Sequence, residues 1–236
     1  MSKITIFIDV DFKKGMKLEI PIEESLHLNV KRIKKNEKIF ILNGKGFEAT
    51  GIIDIKDKTI TIEEIYDITN RELPVKINIF MALINYDKFE FAIQKTTELG
   101  VNSIIPLITK RVQVRWNSKK LKRFIRIAKE AIKQSGRALL PKIEEPIKLK
   151  DIKKIRNGIV LWEKSTKSLK DEILKIVSTN PEEINVVIGP EGGFEEDEIK
   201  LLEEKGFEDV SLGKVILRSE TSAIYIVSVL RYMLAP

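Results

Sequence analysis

Gly189-Pro190-Glu191-Gly192-Gly193 follows directly on the apolar run from Ile184 to Ile188 and precedes a segment of helical character. Strand, glycine loop, helix is a ligand-binding layout, because backbone can approach a ligand where no Cβ obstructs it. Glu195, Glu196, Asp197 and Glu198 come next, so with Glu191 up to five carboxylates surround the helix start and would repel phosphate. A ligand without phosphate that carries sulfonium and ammonium groups would be accepted, and S-adenosylmethionine (SAM) is such a ligand. Acids at 195–198 also complement a helix dipole, which accounts for them without any ligand. Glu191, inside the glycine loop, is not covered by that explanation.

A second glycine point lies at Leu212-Gly213, followed by Ile216-Leu217-Arg218-Ser219-Glu220-Thr221 at the mouth of the last helical segment. Ser219 is expected to cap that helix. Capping leaves Arg218 unexplained, at the C-terminal edge of a sheet where open α/β folds place their ligands.

Other chemistries are excluded by composition. GxGxxG and GxxxxGK[ST] are both absent, which disfavours dinucleotide and P-loop enzymes. The chain of 236 residues has no cysteine and one histidine, so disulfides, thiolate nucleophiles and cysteine zinc sites are excluded, and a histidine metal cage is disfavoured. We expect no metal. No apolar run is long enough to span a bilayer, and MSKITIFIDVDF does not read as a signal peptide. A cytoplasmic protein with no membrane partner is expected.

The net charge of +7 is unevenly distributed. Lys110 to Arg156 contains seventeen Lys or Arg against four acids, an excess that favours contact with a polyphosphate such as RNA. A Lys- and Glu-rich solvated surface is the alternative.

The elements that must position these residues fall into two textures. Residues 1–70 read as short β-branched strands at 4–8, 17–20, 37–42, from 47 and from 59, with a helix at 23–32 and a glycine hairpin at 43–46, which fits a small β-barrel. From residue 73 onward strands alternate with longer helices in α/β rhythm. Helices are expected at 87–99, 119–135, 169–177, 195–205 and 219–233, and strands at VKINIFMAL, SIIPLI, GIVLW, INVVI and DVSL. The helix at 119–135 sets an apolar stripe of Leu121, Phe124, Ile125, Ala128 and Ile132 against Lys122, Arg123, Arg126, Lys129 and Lys133, an amphipathic basic pattern that we read as an RNA-facing wall.

Five separated blocks, IGPEGGF at 188–194, SLGKVILRSET at 211–221, QKTTELGVNSIIPL at 94–107, EAIKQSGR at 130–137, and His27 with Val30-Lys31-Arg32, resemble the RsmE family of rRNA uridine N3-methyltransferases, in the SPOUT superfamily. The resemblance implies an α/β protein with an N-terminal PUA-like β-barrel (1–70) and a C-terminal SPOUT methyltransferase domain (73–236) closed by a trefoil knot. It implies SAM as cofactor, a homodimer, and methylation at N3 of the uridine conventionally numbered 1498 in 16S rRNA of the small ribosomal subunit. Carried over by motif, Leu161, Trp162, Glu163, Ile188, Gly189, Pro190, Gly192, Gly193, Leu212, Gly213, Ile216, Leu217, Arg218 and Thr221 line the SAM pocket. His27, Arg32, Arg111, Arg115 and Arg137 are candidates for holding RNA. Arg218 is a candidate for stabilising charge on the uracil oxygens, and Glu191 or Glu220 for taking the N3 proton. A non-catalytic rRNA-binding assembly factor and a SPOUT enzyme with another RNA target are the alternatives.

Overall fold

A computed structural model describes residues 4–30 and 37–235, apart from the side chains of Leu26, His27, Asn29 and Val30. Two compact units are present: residues 1–72 with Lys129–Leu140, and Leu73–Ala128 with Pro141–Pro236. The sequence divides into 1–70 and 73–236; by packing, residues 129–140 group with the first unit.

In the first unit the β-branched runs form β1 (Thr5–Phe7), β2 (Lys17–Glu19), β3 (Lys38–Leu42), β4 (Phe47–Asp54) and β5 (Thr59–Asp67), with α1 (Ile22–Val30) between β2 and β3. They make one sheet in the order β1-β3-β4-β5-β2. The β3–β4 hairpin turns at Asn43, whose Oδ1 accepts the N–H groups of Lys45 (2.8 Å) and Phe47 (3.1 Å). Gly44 (φ 70°) and Gly46 (φ 103°) supply the left-handed backbone this turn needs. Alternate residues Ile39 and Ile41, with Ile6, Ile60 and Ile62, are sealed in one core, as period-2 strands require. The other side of β3 presents Leu42, which with Phe7 and Ile68 buries Ile132 and Ala138 from the segment at 129–140.

That segment is tied by Glu72. Its carboxylate accepts from Arg137 Nε (3.1 Å) and Nη2 (2.6 Å), and from the backbone N–H of Ala138 (2.7 Å) and Leu139 (3.0 Å). Lys133, expected on an exposed basic face, is instead enclosed between Glu24 (2.8 Å) and Glu130 (2.7 Å).

In the second unit β6 (Lys76–Ala82), β7 (Ser103–Ile108), β8 (Lys142–Ile143), β9 (Ile147–Lys148), β10 (Gly158–Leu161), β11 (Glu183–Ile188) and β12 (Phe207–Val210) form a seven-stranded sheet, in the order β12-β10-β11-β6-β7-β8 with β9 also beside β7. Every pairing is parallel. Parallel strands are covered on both faces, which is why they read as continuous apolar runs. The helices are α2 (Tyr86–Leu99), α3 (Lys119–Ser135), α4 (Leu169–Ser178), α5 (Glu196–Glu204) and α6 (Ser219–Leu234). α3 contributes its first part to this unit and its last part to the other. Asn85 caps α2 by accepting from Asp87 N–H at 2.9 Å, and Gly100 ends it at φ 105°.

At two places the difference from expectation has a structural cause. β12 begins at Phe207 rather than Asp209, because the Phe207 side chain is itself core. Arg218, not Ser219, occupies the N-cap of α6, and Ser219 makes no cap; its hydroxyl is engaged elsewhere.

Candidate functional site

Register brings the loops together. Leu161 at the end of β10 lies opposite both Ile188 at the end of β11 and Val210 at the end of β12. The three chain segments that leave these ends therefore emerge side by side, the position at which parallel sheets bind ligands. Segments 161–163, 188–194 and 211–219, with Ser222, enclose a cleft of about 550 Å³. All of the expected cofactor residues line it except Thr221, which is exposed on the first turn of α6. A second hollow of about 700 Å³ lies between α4, α6 and the loop at 163–168, and shares the Ser211 to Lys214 wall.

The glycine loop is held from four sides. Ser219 Oγ donates to the Gly189 carbonyl at 2.7 Å, which explains why that hydroxyl does not cap its own helix. Phe194 plugs into the core with Leu107, Val187 and Leu202. Arg111 Nη1 donates to the Gly192 carbonyl at 2.7 Å. Lys88, on α2, meets Glu191. Gly193 holds φ 70° with the Glu163 carboxylate against its Cα face, so a side chain there would be both strained and in the way.

The acids that follow the loop are not free. Glu198 accepts the N–H of Glu195 at 3.0 Å and, through its other oxygen, the N–H of Lys110 at 2.9 Å. Lys110 Nζ reaches Asp197 (2.5 Å) and Glu195 (2.9 Å). The Asp197 and Glu195 carboxylates raise the Lys110 ammonium above its ordinary value, and Lys110 holds Asp197 below the usual carboxylate range. Lys110 and Arg111 thus offset Glu195 and Asp197, Lys88 offsets Glu191 and Lys164 reaches Glu196 at 3.4 Å, so the repulsion toward phosphate expected from five carboxylates is reduced.

Of the expected catalytic groups, Arg218 and Glu191 line the cleft and Glu220 does not. Glu220 is 8% exposed, and its Oε2 has no hydrogen-bond partner. Its position is a consequence of helix phase: Glu220 lies on the inward face of α6 with Ala223 and Val227, all buried.

Among the expected RNA contacts, Arg111 and Arg115 are exposed on the loop after β7. Arg137 is a correction: it is 6% exposed and clamped on Glu72, so its guanidinium is buried within the first unit. His27 lies on α1 with its side chain outside the described residues, and Arg32 lies outside them altogether. From the basic helix, Arg123 is paired with Glu90 at 2.6 Å, while Lys122 and Arg126 remain exposed. Among the described residues no cluster of acids and histidine could hold a metal ion, and no helix is long and apolar enough to cross a membrane.

Sequence reasoning missed Lys88, Lys110 and Phe194. An apolar residue directly after a glycine loop was a usable signal for Phe194. Lys88 and Lys110 lie 103 and about 85 residues from their acidic partners, beyond any local pattern.

The chain matches two protein families, an RNA methyltransferase domain over residues 71–231 and an RNA methyltransferase PUA domain over residues 21–65. It is 37% identical to ribosomal RNA small subunit methyltransferase E of Mesomycoplasma hyopneumoniae, covering 86% of this chain and 88% of that one, and 35% identical to the Bacillus subtilis protein of the same name, covering 89% and 88%. The fold superposes on ribosomal RNA small subunit methyltransferase E of Neisseria gonorrhoeae, solved bound to S-adenosyl methionine, with a TM-score of 0.89, 28% identity and 98% coverage of each chain. A Legionella pneumophila protein solved with bound SAM gives the same TM-score at 32% identity, covering 99% of this chain and 98% of that one. The N-terminal part of the chain is accordingly a PUA domain, and the part that follows is a SPOUT-type α/β methyltransferase domain. By sequence, fold and the placing of its cleft, the chain belongs to the ribosomal RNA small subunit methyltransferase E family of RNA methyltransferases.

Proposed function

We propose that this protein methylates N3 of a uridine in 16S rRNA, the one conventionally numbered 1498, with SAM as methyl donor. The observation that carries the proposal is the cleft: loops after three parallel strands converge on one hollow, and thirteen of fourteen motif-derived cofactor residues line it. Its volume of about 550 Å³ suits a small-molecule ligand. The residues fit SAM: Gly189, Gly192 and Gly193 leave backbone bare, and the Glu163 carboxylate, against Gly193, would face a ligand bearing positive charge.

When bound, SAM supplies an electrophilic methyl group. The chain must then align the uracil and help remove its N3 proton. Arg218 at the head of α6 stabilises charge that develops on the uracil oxygens. Glu191 is the candidate acceptor of the proton, held beside Lys88; Glu220, enclosed in the helix packing, is the weaker candidate. Arg111 and Arg115 offer phosphate contacts, with His27 and Arg32 on the PUA-like unit.

The trefoil knot and the homodimer belong to the same proposal. β12 lies at the sheet edge beside β10, yet α6 starts under the β11 loop through the Ser219–Gly189 bond, so residues 211–218 return across the strand ends, which supports threading. Ile216 and Tyr232 are each 83% exposed, and Tyr225 and Leu174 lie open at the second hollow, an apolar set that a second copy would cover.

The test is to treat undermethylated small subunits, and naked 16S rRNA, with the protein and labelled SAM, then digest and identify the nucleoside by mass spectrometry. Label in 3-methyluridine at one position is the expected result. Label in another nucleoside, or in a ribose, would replace the target, and no transfer with either substrate would sink the enzyme reading in favour of an assembly factor.

A further inference from the structure

The loop after β7 carries the start of the most basic stretch of the chain, and its two ends are pinned. At its end, the Tyr86 hydroxyl donates to the Arg115 carbonyl (2.7 Å) and accepts the Asn117 N–H (3.1 Å). At its start, Lys110 is bound to α5 through its backbone and its ammonium. Arg111 stands between these ties and touches the glycine loop itself. Its Nη1 donates to the Gly192 carbonyl at 2.7 Å, its Nε lies 3.7 Å from Glu195, and its aliphatic stem lies 3.4 Å from where a Gly192 Cβ would sit.

A glycine loop needs such a tie. Gly192 has no side chain to fix its peptide planes, and the freedom that lets backbone approach a ligand must be restrained before a carbonyl or N–H can be aimed. A charge-assisted hydrogen bond from a planar guanidinium fixes both the position and the plane of the carbonyl it meets. Arg111 is about half exposed, so its remaining N–H groups stay open to solvent.

From this geometry we infer that Arg111 is a positioning residue of the cofactor site, holding the Gly192 peptide in the orientation that receives the cofactor. This role rests on the assignment of the cleft to SAM, and it assigns to Arg111 a task distinct from RNA contact. Arg111 acts through the loop rather than on the reacting atoms, so its loss weakens cofactor binding while leaving the bound complex able to react.

The experiment is calorimetric titration with S-adenosylhomocysteine, the demethylated product, of the wild-type chain and of Arg111→Met, Arg111→Lys and Lys200→Ala. Methionine keeps an apolar stem on Gly192 and removes the donor; Lys200 is an exposed cation on α5 outside the cleft and controls for net charge. Arg111→Met is expected to bind about tenfold more weakly. Arg111→Lys recovers part of the loss, Lys200→Ala loses nothing, and the ligand-free melting temperatures stay together. In turnover at saturating RNA, where loss of a phosphate contact is compensated, KM for SAM rises about as much and kcat holds. Wild-type binding with Arg111→Met unchanged overturns the inference alone. A loss that follows a drop in ligand-free melting temperature overturns it in favour of a folding role. If the wild-type chain itself fails to bind, the cleft assignment falls and this inference falls with it.

Discussion

The Ser219 hydroxyl donates to the Gly189 carbonyl at 2.7 Å across thirty residues of chain, joining the first turn of α6 to the loop that leaves β11. One bond thus sets the distance between two walls of the cleft. A single hydrogen bond contributes about 1 kcal/mol net to stability, so Ser219→Ala is expected to lower the unfolding free energy by about that much in urea. Its effect on the cleft should be larger than on the fold: S-adenosylhomocysteine affinity falls several-fold. Unchanged affinity in a protein destabilised by about 1 kcal/mol would show that the loops keep their spacing without it.

Glycines at the cleft are not equivalent, and alanine separates them. A Cβ at Gly189 would sit 2.9 Å from the Phe194 ring, which is packed in the core and cannot swing away. Gly189→Ala therefore costs about 1–3 kcal/mol by overpacking and deforms the loop. At Gly213 nothing lies within 4 Å, and the penalty is the positive φ of 108° alone, about 1 kcal/mol. Urea midpoints should rank wild type, Gly213→Ala, Gly189→Ala in descending order.

Much of this arrangement was legible in the sequence because it is local. Continuous apolar runs mark the buried parallel strands β10 and β11, Gly100 stops α2, and the glycines at 44 and 46 turn the β3–β4 hairpin, each by its own φ requirement or its own burial. What stayed hidden were the partners of long charged side chains. Arg137 read as an RNA contact because it sits in a basic tract, and Lys133 as part of an RNA-facing wall for the same reason. Both are enclosed by acids from far along the chain, Glu72 and Glu24. No period in the sequence encodes such pairs, since they depend on which surfaces the tertiary fold brings together. Ser219 shows the same limit: a serine at a helix mouth reads as a cap until a carbonyl from another loop is found beside it.

The Glu72–Arg137 pair is a buried ion pair, each side chain about nine-tenths covered. Removing one partner of such a pair leaves an uncompensated charge and costs about 3–5 kcal/mol. Glu72→Ala also orphans the N–H groups of Ala138 and Leu139, so it should be the more damaging single change. A double-mutant cycle with Arg137→Met, read by urea unfolding, is expected to give strong coupling, the double variant recovering part of the loss. Additive effects would mean that the two side chains stabilise the segment at 129–140 independently.

The Lys110–Asp197 contact gives the tie between the loop after β7 and α5 a pH dependence whose sign follows from both partners. Asp197 is held below its ordinary 3.8 by Lys110, so its contribution is present above that value and is lost as pH falls through the lower folded-state value. Lys110 is raised above 10.5, first by Asp197 and then by Glu195; its contribution is present below 10.5 and is lost as pH rises through the raised value. Between those limits the melting temperature of wild type should exceed that of Lys110→Ala by a constant margin. As pH falls below 3.8 and on through the lower folded-state value, the margin should close as Asp197 takes its proton. Because both groups are largely open to solvent, the margin at neutral pH should also shrink in about 1 M salt, where screening acts within a few ångströms. A margin that persists in acid would locate the stabilising effect of Lys110 in the packing of its side-chain stem rather than in its charge, since alanine keeps the backbone N–H that meets Glu198.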